Sequence, residues 1–188
     1  GVDWGDGSQD QITSYNQSEV THQYSSTGIY TISITGGITG WRFAGGGDDD
    51  KITNISRWGP LAINSDYAFY GCSQLEISTT DSLKLITPSS FFLSNLIMFN
   101  FYDTKSMTGC DLSSWDISET TTLRGLFINA GNLDNSGYFD ADIGNWDVSH
   151  VTDIGFLVNR TKFTNGGSTS ITGWDTSSVT GMEQSFAG

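Results

Sequence analysis

The sequence predicts a repeat solenoid, with one short strand and one short helix in each rung, entered through a small β-hairpin head. Three observations predict it. Segments 112–118, 143–149 and 171–177 align without gaps around a shared Trp-Asp-x-Ser, and each carries apolar residues at fixed offsets from its Trp. These are Leu112, Ile143 and Ile171 three places before it, Leu123, Ile154 and Met182 eight places after, and Phe127, Val158 and Phe186 twelve places after. Trp115, Trp146 and Trp174 lie 31 and 28 residues apart, a period that suits one supersecondary unit per copy. Finally, 23 glycines against two prolines, with only 15% charged residues, suit strands and tight turns better than charged helices.

The head is residues 1–40. Val2-Asp3-Trp4 alternates into Gly5-Asp6-Gly7, a strand running into a tight turn. Residues 20–24 and 29–34 each alternate with period two about the turn Ser25-Ser26-Thr27-Gly28, which reads as a hairpin with its apolar face on the Ile/Tyr/Ile positions of residues 29–34. Asp3, Asp6 and Asp10 are oxygen ligands that calcium could take, but their spacing misses the EF-hand pattern, and turn capping is the favoured reading. His22 reads as a structural residue packed beside the turn. The Trp-Gly-Asp-Gly turn, His22-x-Tyr24 and the following Gly28-x-Tyr30-Thr31 resemble the closing half of a PKD-type immunoglobulin-like module. That resemblance implies a sandwich either truncated or completed by an upstream segment.

Residues 41–60 read as a junction and cap. Within them Gly45-Gly46-Gly47-Asp48-Asp49-Asp50-Lys51 is a flexible acidic stretch, without the Lys-Ser/Thr of a phosphate cradle. Residues 61–188 hold about five rungs, truncated at the C-terminus. Weaker copies lie upstream of the three clear ones. Phe69, Cys72 and Leu75 repeat the spacing of Phe127, Ala130 and Leu133, and Phe92, Asn95 and Met98 repeat it with one polar substitution.

Within a rung, the stretch before each Trp suits a strand edge. The i, i+3, i+7 apolar spacing of residues 151–158 suits a short helical turn, with Ser149 or Thr152 as its N-cap. The tryptophans are expected in the core, where stacked units bury each aromatic for roughly 1.5–3 kcal/mol. The competing reading is a row of exposed aromatics gripping sugar rings.

The rung Trp-Asp-Val-Ser…Val-Thr…Met/Leu-x-x-x-Phe, behind a Trp-Gly-Asp-Gly head, resembles the BspA-like bacterial surface repeat family. The resemblance implies a leucine-rich-repeat-like solenoid and an extracellular or cell-surface location. Members of that family are mostly surface or secreted proteins, several of them implicated in adhesion. The loops at 131–142 and 159–170 are longer than the family's usual link, and the rung at 83–98 lacks its Trp. Insertions of this kind collect on one face, often the binding face. Tyr138 and Phe139 on the first loop are therefore the binding candidates, and Asp134, Asp140 and Asp142 are calcium candidates. The competing reading of those three is a polar turn with solvated carboxylates.

Composition narrows the partners. Net charge is −13 with eight Lys and Arg, so the chain lacks the cations that neutralise phosphates; no nucleic-acid partner is expected, and an anionic membrane surface is disfavoured. No run of about 18 apolar residues suggests a membrane span, and no signal peptide is visible. The chain opens within a strand at Gly1 and closes within a repeat at Gly188, as an internal piece of a longer protein would. Cys72 and Cys110 read as small buried thiols, their pairing open. Two histidines, His22 and His150, stand without a nucleophile motif, and no carboxylate pair is placed at an apolar site, so no catalysis is expected. His150 reads as a solvent-facing cap.

The expected function is an extracellular, non-catalytic binding or adhesion module of a bacterial surface protein, needing no cofactor. Its partner would be a host or neighbouring-cell surface protein or glycan. The alternatives are a segment of a phage tail fibre or an ancillary domain of a polysaccharide-degrading enzyme.

Overall fold

The computed structural model describes residues 1–38, 41–87, 101, 111–131, 138–167 and 170–187. The chain divides into two compact units, Gly1–Gly37 and Ile38–Gly188.

In the first unit, β1 (Val2–Asp3) is the central strand. It pairs antiparallel with β2 (Gln9–Asp10) on one side and with β3 (Ser33–Ile34) on the other. The expected hairpin between 20–24 and 29–34 does not form. Both edges of β1 are taken, and side chains tie the 21–24 stretch to the Gly-Asp-Gly turn instead. His22 stacks on Trp4 at 4.8 Å, and the Tyr24 hydroxyl donates to the Trp4 carbonyl at 2.9 Å. Tyr30 stacks on Tyr24 at 4.1 Å, while Ile29 and Ile32 face solvent.

The second unit corrects the predicted fold class. Among the described residues there is no α-helix, and the strands make only small sheets, so this is not a strand-plus-helix solenoid. One sheet joins β5 (Ala62–Ile63), β7 (Lys84–Ile86) and β8 (Asp116–Glu119) in parallel. Others pair β4 (Asn54–Ile55) with β6 (Glu76–Ile77), and β9 (Tyr138–Phe139) with β10 (Lys162–Phe163), again in parallel. β4 lies within residues 41–60, where Phe43 and Gly45 donate their N–H groups to the carbonyls of Ala68 and Tyr70.

The reason no helix forms after each Trp lies in the backbone. Ten places after Trp115, Trp146 and Trp174 stand Gly125, Phe156 and Gln184, at φ of 65°, 55° and 49°. A left-handed residue in the middle of a turn stops an α-helix. The hydrogen bonds then alternate. Leu123, Gly125, Phe127 and Asn129 donate N–H to Asp153, Gly155, Leu157 and Asn159 of the next copy, while Leu126 and Ala130 close turns on Leu123 and Phe127. The next copy repeats this: Ile154, Phe156, Val158 and Arg160 donate to Gly181, Glu183, Ser185 and Ala187. The i, i+3 apolar spacing read as helical is the spacing of successive turns laid side by side. Every second N–H serves the neighbouring copy, which a helix would not allow.

The core of this unit is a double aromatic column. Trp58, Trp115 and Trp146 are buried, with Trp115 and Trp146 stacked at 6.3 Å and 19°. Beside them Phe69, Phe101, Phe127 and Phe139 pack at successive centroid separations of 5.3, 5.6 and 4.3 Å. The tryptophans at the heart of the repeat are thus scaffold and not an exposed sugar platform.

Candidate functional site

The Asp-x-Ser after each Trp folds the same way in each clear copy. In the second, the Ser149 N–H and hydroxyl both donate to Asp147 Oδ1, at 3.0 and 2.7 Å. In the first, the Ser118 N–H and hydroxyl donate to Asp116 Oδ1 at 3.0 and 2.6 Å. In the third, the Ser177 N–H donates to Asp175 at 3.0 Å. This reverses the capping roles expected from the sequence, since the Asp is the acceptor and the Ser a donor. Thr152 also donates, to the Thr121 carbonyl at 3.0 Å, because no helix follows for it to cap.

The Ser hydroxyl, and then the Ser N–H, hold Asp116, Asp147 and Asp175 below the usual carboxylate range. Burial opposes this in each case. Lys84 adds a small lowering at Asp116 and His150 at Asp147, whereas the charge of Asp147 pushes Asp175 upward, as neighbours in a column would.

Between the first two copies lies a cleft of about 300 Å³ lined by Trp115, Asp116, Ile117, Ser118, Asn145, Trp146, Asp147 and His150. Its rigidity comes from backbone and core. The Trp146 indole N–H donates to the Leu112 carbonyl at 2.8 Å. His150 Nε2 lies 3.0 Å from the Ile117 carbonyl, and since a carbonyl only accepts, Nε2 carries the proton and Nδ1 is the ring's other nitrogen. Asn145 is exposed on the rim. The cleft therefore presents two ionised carboxylates and an amide at fixed positions over an aromatic floor. That set recognises hydrogen-bond donors, such as sugar hydroxyls or basic side chains. Neither carboxylate is raised towards the range a general acid needs.

The residues singled out from sequence are placed as follows. Phe139 is wholly buried, tilted against Phe127 at 4.3 Å and stacked on Phe163 at 5.8 Å, so it is core and cannot serve as ligand surface. Its alternation with polar neighbours marks a strand, β9, and not a loop tip. The Tyr138 backbone pairs with Lys162. Asp140 accepts from the Thr164 hydroxyl and Asp142 from the Gly144 N–H at 2.8 Å. Asp134 lies outside the described residues, as do Cys110 and the copy around Phe92. In the first unit Asp3 accepts from the Gly5 N–H, Asp10 from the Trp4 indole, and Asp6 from Ser8 and His22, each carboxylate serving its own turn. Among the described residues, no three His, Cys, Asp or Glu side chains converge as a metal set. His22 packs beside the turn, 2.8 Å from Asp6. Cys72 is a buried free thiol whose desolvation, with a smaller push from Asp49, raises it to about 12.

Sequence reasoning missed the cleft. Its signal is the fixed Asp offset after each Trp, which the expected helix cap at Ser149 or Thr152 obscures.

Residues 96–188 match the family model described as "Mycoplasma protein of unknown function, DUF285". No curated protein and no solved structure matches the chain. No helix among the described residues is long and apolar enough to cross a membrane.

Proposed function

We propose that this chain is a non-catalytic binding module of a BspA-like bacterial surface protein, displayed outside the cell, with a partial PKD-like β head at residues 1–40. Its partner is a host or neighbouring-cell surface glycan or protein offering hydroxyl or basic donor groups. The observation that carries this is the cleft over Trp115 and Trp146, where Asp116 and Asp147 are held ionised on a backbone that both flanking copies lock in place. A scaffold of buried aromatics that leaves fixed polar groups outside suits recognition, since little ordering remains to be done when a ligand arrives. The match of residues 96–188 to a Mycoplasma family supports a bacterial setting.

The test is a glycan and host-matrix binding array with the whole chain, with and without chelator. A hit should weaken at least tenfold in Asp147→Asn and Asp116→Asn, with the fold unchanged by circular dichroism. A chelator effect should be absent. Binding that survives both substitutions would place the ligand elsewhere, and no binding to any array member would remove the adhesion reading.

A further inference from the structure

The protons of the side chains around the cleft are spent on the protein itself. Asp116 and Asp147 each turn Oδ1 to their own serine, and among the described residues nothing donates to Oδ2 of either. The Ser118 hydroxyl gives its proton to Asp116 at 2.6 Å, and the Trp146 indole gives its own to the Leu112 carbonyl at 2.8 Å. His150 spends the Nε2 proton on the Ile117 carbonyl at 3.0 Å, so Nδ1 is left as an acceptor. Asn145, exposed on the rim, has an amide that both donates and accepts.

No cation among the described residues pairs with either carboxylate. Lys84, which stands opposite Asp116 in the strand register, is bound to Glu119 at 2.6 Å. Arg124 is shared between Asp153 and Glu183. The floor is aromatic but closed. Trp115 and Trp146 are each 4% exposed, so neither ring offers a face on which a sugar could stack.

Taking the cleft as the binding site of the proposed function, we propose that its ligand is a cationic side chain of a partner protein, arginine or lysine, and not a glycan. A guanidinium or an ammonium only donates, and it carries the charge for which Asp116 and Asp147 lack a partner. Charge-assisted bonds of this kind are roughly twice as strong as neutral ones. A sugar hydroxyl keeps lone pairs that would face the carboxylates and Nδ1, and it brings neither the charge nor a ring that finds a stacking surface. The net charge of −13 adds long-range attraction for a basic partner, while the cleft sets where the contact is made.

Fluorescence anisotropy with the whole chain and a labelled Gly-Ser peptide tests it. The peptide carries paired arginines, paired lysines or paired citrullines, the last keeping the shape of arginine but losing the charge and gaining a carbonyl acceptor. Both cationic peptides should bind, and the citrulline peptide about tenfold more weakly or not at all. Asp116→Asn and Asp147→Asn should each weaken the cationic peptides about tenfold. Glu76→Gln, which removes a charge from an exposed position in another sheet, should leave them unchanged. Failure of both cationic peptides to bind, equal binding of the citrulline peptide, or an equal loss in Glu76→Gln would overturn the proposal. A neutral oligosaccharide whose binding Asp147→Asn abolishes would also overturn it, while leaving the cleft as the site. Binding of the cationic peptides that survives both aspartate substitutions would overturn ligand and site together.

Discussion

Replacing Trp146 by Ala removes a side chain that is 4% exposed, stacks on Trp115 at 6.3 Å, lies 6.3 Å from Phe127 and donates to the Leu112 carbonyl at 2.8 Å. Truncating an aromatic in a packed core costs about 3–5 kcal/mol. Trp146 belongs at the upper end, because the indole bond is lost with the stack, although the Leu112 carbonyl keeps the Trp115 N–H at 3.0 Å. Trp146→Phe separates the two contributions. It keeps an aromatic in the column but breaks the indole bond, which costs about 0.5–1.5 kcal/mol, because the Leu112 carbonyl still accepts from the Trp115 N–H. Trp174→Ala, at a half-buried position with no bonded indole, should cost less than Trp146→Ala. Equilibrium urea unfolding followed by circular dichroism measures all three, provided the m-value is unchanged. Equal midpoints for Trp146→Ala and the parent chain would refute the core assignment. Equal costs for the Phe and Ala variants would show that the hydrogen bond, and not the stack, is what matters.

Gly125→Ala should destabilise by about 1–2 kcal/mol, because its φ of 65° is one that a Cβ resists. A thermal melt would show it, and an unchanged melting point would contradict the backbone account of why no helix forms. Gly155→Ala should cost about 1 kcal/mol, since the new Cβ would collide with the Arg124 guanidinium, which can swing aside only by loosening its ion pair with Asp153. Restoration of stability by Arg124→Ala in the same chain would identify the clash as the cause.

Acid should loosen the first unit through Asp6. Bonds from the Ser8 hydroxyl and N–H, with His22, hold Asp6 at about 2 against an ordinary value of 3.8. The folded pKa is depressed, so the unfolded state binds more protons through that window. The contribution is full above the unfolded value and is lost as pH falls from about 4 to about 2. Asp6→Asn should flatten that limb when Trp4 indole chemical shifts are followed by NMR. The Cys72 thiol, raised to about 12 by burial, should resist alkylation at pH 8 until the chain unfolds. Rapid labelling of the folded Cys110→Ser chain would contradict its burial.

The sequence by itself determined the repeat, its period and much of the core of the first two clear copies. Apolar residues at fixed offsets from a Trp favour burial together, and Leu123, Phe127, Ile154, Val158, Trp115 and Trp146 are buried, whereas Met182 and Phe186 at the same offsets from Trp174 are about half exposed. It also placed His22 beside the Gly-Asp-Gly turn.

The path of the backbone between those residues was decided only in the tertiary structure. An i, i+3 spacing serves a helix and a run of turns equally well. The choice fell to Gly125, Phe156 and Gln184 entering left-handed conformation so that alternate N–H groups reach the next copy. Phe156 and Gln184 are not residues whose chemistry announces a positive φ, so nothing local signalled it. The cleft followed from the same decision. With no helix to cap, Asp116 and Asp147 turn to their own serines and remain on the surface, ionised, between neighbouring copies. Phe139 shows the converse. On sequence it reads as a loop aromatic, and it becomes core because β9 pairs with a strand 24 residues further on, at Lys162 and Phe163, a partner that only long-range packing supplies.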